Sequence, residues 1–271
     1  LHVALPIWIA ILGAGVMGET LLAAILRSGR AASDLVISEK REERAAELRE
    51  TYAVEVTGNA EAVADADIVL IVVKPQDVPA LLAEIAPSVR TGATVVSLAA
   101  GATIATLEGA LPGVAVIRAM PNTPALVGEG MFGISPGGAC SDEQLAAVRS
   151  LLESGGKVVV VDETQQDAVT AVSGSGPAYV FYLAEAMIAG GIEAGLGEPT
   201  ALILAAQTLV GSAKLLAESE DTAEELRRRV TSPNGTTAAA IRAFDDREVK
   251  AALTAGVLAA AARSAELSAP Q

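Results

Sequence analysis

Apolar residues in the first half of this chain come in short unbroken runs. Residues 8–12, 35–38, 67–73, 94–98, 114–117 and 157–161 read this way, residues 53–57 read as a short strand, and residues 131–135 are a weaker strand candidate. Runs of that length without alternation predict strands covered on both faces. Between them the spacing turns helical over residues 19–28, 41–50, 76–85 and 103–111. A short helix runs through Val63 with Asn59 in the turn that caps it. Another runs through Leu152 from the capping box Ser141-Asp142-Glu143-Gln144. Alternating strands and helices predict a doubly wound parallel sheet with ligands at the carboxyl ends of its strands. Lys74, Ala100 and Asn122 fall at such ends.

The first strand runs into Gly13-Ala14-Gly15-Val16-Met17-Gly18 and then a helix. Strand, G-x-G-x-x-G, helix is the context of a dinucleotide-binding turn. Gly13 permits the tight turn, Gly15 lets the backbone approach a pyrophosphate, and Gly18 lets the helix pack close to the strand. The second strand ends at Glu39, about twenty residues past the last glycine, where an acid holds the adenosine ribose hydroxyls. A carboxylate there favours NADH because it repels a 2′-phosphate. Lys40 and Arg41 would grip that phosphate if Glu39 turned away, so NADH and NADPH both remain open.

After Asp162 the strand signal stops. Residues 163–172, 178–194, 199–217, 237–244 and 247–267 read as helices, with a second capping box at Thr222 and Glu225. Glycine and proline break the pattern at residues 173–177 and 195–197. Several helices, notably residues 201–216, are apolar round most of their circumference and need burial on several sides. A small helical domain offers little interior for that. The expected class is therefore α/β. A Rossmann-type domain spans residues 1–162, and an all-α dimerisation and substrate-binding domain spans residues 163–271.

Composition narrows the partners. The chain is 51% hydrophobic with a mean hydropathy of +0.45, yet no uninterrupted apolar run approaches a membrane span. The excess is expected between subunits, in a homodimer with interleaved C-terminal helices, with a larger ring of dimers as an extension. A net charge of −14 argues against nucleic-acid and anionic-membrane partners. One cysteine, Cys140, excludes an intrachain disulfide and fits a cytoplasmic setting. The one histidine, His2, stands at the start, which argues against a histidine metal cage or general base. Residues 1–12 lack a basic leader and run into a glycine turn, so they read as a strand rather than a signal sequence.

The stretch Thr231-Ser232-Pro233-Asn234-Gly235-Thr236-Thr237 precedes an alanine-rich helix. Pro233 fixes φ, and Asn234-Gly235 suits the positive φ of a tight turn. The helix that follows opens with unpaired N–H groups, which attract a carboxylate or phosphate through free donors and dipole. By itself the motif reads equally well as a helix cap.

With these stretches in order, the chain resembles pyrroline-5-carboxylate reductases. The resemblance rests on the glycine turn, Val73-Lys74-Pro75-Gln76, Ala99-Ala100-Gly101, Arg118-Ala119-Met120-Pro121-Asn122-Thr123-Pro124, Ser173-Gly174-Ser175-Gly176-Pro177-Ala178-Tyr179 and the turn at residues 231–237. It departs from the family at Asn234, where glycine is usual. Asn is the next best residue at positive φ, so the loop is expected to survive.

The resemblance implies reduction of the cyclic imine L-1-pyrroline-5-carboxylate to L-proline with hydride from NADPH or NADH. It implies cofactor contacts from residues 13–18, Asn59, Val72, Val73, Lys74, Pro75, Leu98, Ala99, Ala100, Pro121 and Asn122. It assigns substrate binding to Glu220, Ser232, Pro233, Asn234, Gly235, Thr236 and Thr237, with Thr237 nearest the imine. A cyclic imine picks up a proton before reaction, so catalysis needs mainly positioning of its carbon against the nicotinamide. The rival enzymatic reading is a hydroxy-acid or imine reductase of the β-dehydrogenase type. Those carry a lysine on the first helix of the second domain, where residues 163–172 have none. The rival from another class is a non-catalytic nucleotide-binding protein whose turn at residues 231–237 is only a cap.

Overall fold

A computed structural model describes residues 7–268, so the expectations placed on residues 1–6 lie outside it. The chain divides into two compact units, Leu1–Gly174 with Ala260–Gln271, and Ser175–Ala259. In the first unit β1 (Ile9–Leu12), α1 (Val16–Arg27), β2 (Leu35–Ser38), α2 (Glu42–Tyr52), β3 (Glu55–Thr57), α3 (Asn59–Ala64), β4 (Ile68–Ile71), α4 (Val78–Ile85), β5 (Thr94–Ser97), α5 (Ile104–Ala110) and β6 (Ala115–Met120) follow the expected alternation. Then come β7 (Gly130–Pro136), α6 (Asp142–Leu152), β8 (Gly156–Val160) and the short α7 (Gln166–Val169).

These strands form a single sheet in the order β3-β2-β1-β4-β5-β6-β7-β8. Successive side chains on a strand point to opposite faces, so β1 feeds two layers. Ile9 and Ile11 pack with Leu21, Leu22 and Ile25 of α1, Leu48 of α2 and Leu152 of α6. Ala10 and Leu12 pack with Val63 of α3, Leu82 of α4 and Leu107 of α5. That is the doubly wound arrangement, and it explains why the strands read as unbroken apolar runs.

The first six strands are parallel, but β7 runs antiparallel to β6 and β8 parallel to β7. The cause is the short link between β6 and β7, a turn over Thr123–Val127 ending at Gly128 with φ 77°. A parallel crossover needs a dozen or more residues, so the chain can only double back.

Several boundaries move from the sequence expectation. α1 begins at Val16, not at residue 19, so Gly18 lies inside its first turn. α2 runs on to Tyr52, and Ala53 takes a left-handed cap at φ 54°, which shortens β3 to Glu55–Thr57. β6 continues to Met120, so Arg118 lies within a strand and is buried. The expected break at residues 173–177 falls at Ser175, the N-cap of α8, and a π turn over Thr170–Gly174 precedes it. Both expected capping boxes form, at Ser141 and at Thr222.

The second unit holds α8 (Gly176–Glu193), α9 (Glu198–Glu218), α10 (Ala223–Arg229), α11 (Thr236–Asp245) and the first part of α12 (Val249–Ser268). α8 and α9 pack on each other, helped by Gly191 against Ala201. Glu248, at φ 52°, separates α11 from α12. In this unit only Ala201 and Ala205 are buried among the hydrophobic residues. α9 is long and apolar enough, at a mean hydropathy of 1.5, to cross a membrane by length and composition, although Gln207, Thr208, Ser212 and Lys214 divide its leucines and alanines into short apolar runs.

The pairing of β7 with β8 supplies a stability test. Gly156 has φ 151° and faces Gly130, and a Cβ on it would sit 2.0 Å from the Gly130 carbonyl oxygen. Gly156→Ala is expected to destabilise the first unit by about 2–4 kcal/mol through backbone strain and displacement of β7. Gly109→Ala, on α5 with open space around the added methyl, is expected to be neutral or stabilising by up to about 1 kcal/mol. Thermal unfolding of both variants checks the contrast.

Candidate functional site

Two separate groups of expected residues emerge, one in each unit. In the first unit β1, β4, β5 and β6 are adjacent and parallel, with Leu12 beside Ile71, Ile71 beside Ser97, and Ser97 beside Arg118. Gly13, Val72 and Leu98 therefore follow one another along the carboxyl edge, and Pro121 and Asn122 extend it past β6. Backbone bonds fix this edge: Val72 N–H donates to Leu12 at 2.9 Å and Leu98 N–H to Ile71 at 2.9 Å.

Gly13 and Gly18 act as their spacing requires. Gly13 adopts φ 106°, and a Cβ on it would lie 2.9 Å from the Val72 carbonyl oxygen. Gly18 packs so close that a Cβ would lie 1.9 Å from the Gly13 carbonyl oxygen. Gly15 is the N-cap of α1, no side chain caps it, and a Cβ there would meet open space. The first N–H groups of α1, at Val16, Met17 and Gly18, thus face a gap suited to an anion. Ala14 is buried beneath the turn. Arg44 of α2 braces it, bonding the Ala14 carbonyl at 3.5 Å and pairing with Glu19 of α1. Tyr52 Oη donates to the same Glu19 at 2.9 Å.

Beside this turn lies a cavity of about 410 Å³. It brings together Gly13, Glu39, Lys40, Arg41, Asn59 and Val73 from the expected set, and adds Ser38, Asp77, Ala80, Leu81 and Glu84. Asn59 does not cap α3, as its place in the sequence suggested. Gly58 is the N-cap, and the Asn59 carboxamide turns into the unit instead. Ser38 Oγ donates to Asn59 Oδ1 at 2.6 Å, and Asn59 Nδ2 donates to Glu84 Oε2 at 2.9 Å. No spacing rule joins Ser38, Asn59 and Glu84; only the adjacency of β2, α3 and α4 does.

The conflict between Glu39 and the two cations after it takes a definite form. Glu39 accepts from Arg41 Nε at 3.2 Å, from Arg41 Nη2 at 3.1 Å and from the Arg41 N–H at 2.9 Å. Arg41 folds back over the carboxylate, while Lys40 is exposed and forms no ion pair among the described residues. The bond from the Arg41 side chain holds the Glu39 carboxyl below the usual glutamate range, against the opposing effect of burial.

Other expected residues stand outside this cavity. Lys74, Pro75 and Ala100 are exposed on the same edge, whereas Leu98 and Ala99 are buried beneath it. Asn122 has its side chain fully engaged: Oδ1 accepts from Met131 N–H at 2.8 Å, and Nδ2 donates to the Ser173 carbonyl and to Ser173 Oγ, each at 3.3 Å. It ties the end of β6 to β7 and to the π turn.

In the second unit a tight turn joins α10 to α11, but of the two residues expected at positive φ only Asn234 adopts it, and Gly235 is extended at φ −79°. Asn234 takes φ 60°, and Gly235 N–H donates to the Ser232 carbonyl at 3.1 Å. Gly235 is the N-cap of α11 and no side chain caps it. A Cβ there would lie 2.5 Å from Ser232 Oγ, so glycine keeps the turn tight. α11 starts one residue before the expected position, which puts Thr236 and Thr237 in its first turn. The Thr237 hydroxyl has no hydrogen-bond partner among the described residues, unlike Thr231, whose Oγ1 donates to Arg227 at 2.6 Å. Ser232, Pro233, Asn234 and Thr236 are exposed, as is Glu220 in the link between α9 and α10.

The Glu39–Arg41 pair yields a pH prediction. A depressed carboxyl pKa adds stability above the ordinary glutamate pKa, and that increment disappears as pH falls through the depressed value. Arg41→Ala should move the Glu39 titration up toward the ordinary range and remove this acid-side increment. Carboxyl-carbon NMR titration of both proteins measures the shift, and an unmoved Glu39 titration would contradict the assigned cause.

Comparison with known proteins bears on both groups. Residues 163–267 match the family model for pyrroline-5-carboxylate reductase dimerisation, and residues 8–101 match that for NADP oxidoreductase, coenzyme F420-dependent. The chain is 43% identical to a pyrroline-5-carboxylate reductase of Mycobacterium tuberculosis, with 96% of each chain covered. It is also 43% identical to that of Pseudomonas aeruginosa, again over 96% of each. A pyrroline-5-carboxylate reductase structure from Coxiella burnetii superposes with a TM-score of 0.93 at 30% identity, covering 98% of this chain and all of that one. That of Plasmodium falciparum, with NADP bound, gives 0.86 at 26% identity, covering 97% of this chain and 98% of that one. The likeness runs through both units and through both groups of residues described above: this chain belongs to the pyrroline-5-carboxylate reductase family.

Proposed function

We propose that this protein reduces L-1-pyrroline-5-carboxylate to L-proline at the expense of NADPH or NADH, the last step of proline synthesis. The observation that carries the substrate reading is the turn into α11. An uncapped helix start, a tight turn through Asn234 and an unengaged Thr237 hydroxyl together suit a small anionic ring. The N–H groups of Thr236 and Thr237 bind the substrate carboxylate, aided by the helix dipole. Ser232, Pro233, Asn234 and Gly235 shape the turn around it, and Glu220 assists in orienting the ring. Thr237 Oγ1 meets the ring nitrogen.

When bound, the reduced nicotinamide supplies hydride to the imine carbon. The nitrogen already carries its proton as an iminium, so the reaction needs no histidine or lysine acid. This suits a chain whose single histidine stands at position 2 and whose residues 163–172 lack lysine. What the protein contributes is orientation and an anchored carboxylate. On the cofactor side the first turn of α1 cradles the pyrophosphate, and Glu39, Lys40, Arg41 and Asn59 surround the adenosine end. Val72, Val73, Lys74, Pro75, Leu98, Ala99, Ala100 and Pro121 line the remaining edge. Asn122 extends that edge and also holds the Met131 and Ser173 backbones.

Residues 1–162 serve as the cofactor domain and residues 163–271 as the dimerisation and substrate domain. The apolar helices of the second unit interleave with those of a second copy, and rings of such dimers extend the assembly. A second copy, rather than lipid, then covers α9, in keeping with a cytoplasmic enzyme of net charge −14.

Cofactor oxidation with pyrroline-5-carboxylate, a panel of hydroxy acids and no substrate tests the activity; only the imine should be reduced. Thr237→Ala should lower kcat/KM by about 10- to 100-fold, the effect of removing one positioned polar contact. Wild-type kcat and KM in that variant would eliminate the role given to Thr237. For the assembly, Ile203→Asp on the exposed face of α9 should shift the dimer to monomer or aggregate in analytical ultracentrifugation.

A further inference from the structure

The cavity beside the glycine turn is lined by three carboxylates, Glu39, Asp77 and Glu84, and by two cations, Lys40 and Arg41. One of those cations is already held by Glu39. A third nearby cation, Arg49, is engaged with Glu42 at 3.0 Å and with the Val56 carbonyl at 3.1 Å. Lys40 alone is left to meet an added anion, against two further carboxylates. A second feature is the chain of bonds from Ser38 through Asn59 to Glu84. It is directional: the Ser38 hydroxyl donates to the amide oxygen, which turns the amide nitrogen toward Glu84. Asn59 is 7% exposed, so its carboxamide has little freedom to turn elsewhere.

We propose that Glu84 is a cofactor-selecting residue, which acts through Asn59 to set this pocket against a 2′-phosphate and in favour of NADH. This rests on the reading of the cavity as the adenosine end of the cofactor site. Selection by the acid after β2 is the familiar device of such folds. Here that acid is neutralised by its own neighbour, and the charge that remains comes from α4. Glu84 occupies one Asn59 Nδ2 hydrogen that would otherwise be offered to a phosphate oxygen. It also adds a negative charge where the 2′-phosphate would bring more. Glu84 and Asn59 are 25 residues apart, so the pair exists only because α3 packs on α4.

The test is Glu84→Gln, which keeps an acceptor for Asn59 and removes the charge. Two readouts are taken on the full-length protein. Calorimetry gives Kd for ADP-ribose and for ADP-ribose 2′-phosphate, and steady-state kinetics gives kcat/KM for NADH and NADPH. The 2′-phosphate preference in both should rise by about two- to fivefold, the effect of one exposed charge. The rise should shrink in about 1 M salt, where screening is strong. A ratio within about twofold of wild type at low salt would overturn the role of Glu84. Wild-type protein that binds neither ADP-ribose compound would remove the adenosine-site reading itself, and this inference with it. Binding of both with an unmoved ratio would remove the inference alone.

Discussion

The helical unit has almost nothing buried inside itself. Between Ser175 and Ala259 the buried hydrophobic residues are two alanines, while Phe181, Leu183, Leu202, Ile203, Leu204 and Leu258 stand exposed. Removing apolar surface from water is worth about 25 cal/mol per Å² and is the main force that holds helices together. A unit that leaves this surface open requires a covering partner. The match of residues 163–267 to a dimerisation family names the kind of cover. A covering partner adds the burial that the second unit lacks within itself. It also accounts for a chain that is 51% hydrophobic and yet carries a net charge of −14.

The first unit meets the opposite demand. Its central strands are covered on both faces, with every position of β1, β4 and β5 buried, whereas the edge strand β8, expected to be covered on both faces, leaves Val159 and Val160 exposed. What it must keep open is the carboxyl edge. Glycine does this at two scales. Gly18 lets α1 press onto the Gly13 carbonyl, which brings the helix start to the strand end. Gly15 then leaves that start without a side-chain cap. Gly235 repeats the device at α11. Elsewhere Thr103, Ser141 and Thr222 cap their helices with their own hydroxyls. Other helices, among them α2, α3, α8 and α9, also start without a side-chain cap.

The conformations of both turns were legible in the residues. Asn234 takes the positive φ that its type allows, and the glycine turn shows close backbone approaches at Gly13 and Gly18. The capping boxes at Ser141 and Thr222 also formed where the pattern put them. Other features were read wrongly because nearest-neighbour chemistry is only half of each decision. Asn59 has the sequence position of a cap, but a buried Ser38 and the carboxylate of Glu84 outcompete the local backbone for its amide. Arg118 looked like a strand-end residue. Pairing with β7 carries the strand past it, and Glu163 at 3.2 Å compensates the burial of its charge. The glycine-serine stretch before Pro177 marked the break at Ser175, but not the π turn ahead of it, where Asn122 holds the Ser173 carbonyl.

By itself the sequence determined which segments are strands and helices, where the two glycine-led helix starts fall, and that the C-terminal helices are too apolar to stand alone. These follow from local propensity and periodicity, which act over a few residues. Only the tertiary structure decided the reversed direction of β7, the burial of Arg118, the folding of Arg41 onto Glu39 and the meeting of Asn59 with Glu84. Each of these depends on which distant segment arrives alongside. A charge or an amide is settled by the nearest partner in space, and the order of residues along the chain does not carry that distance.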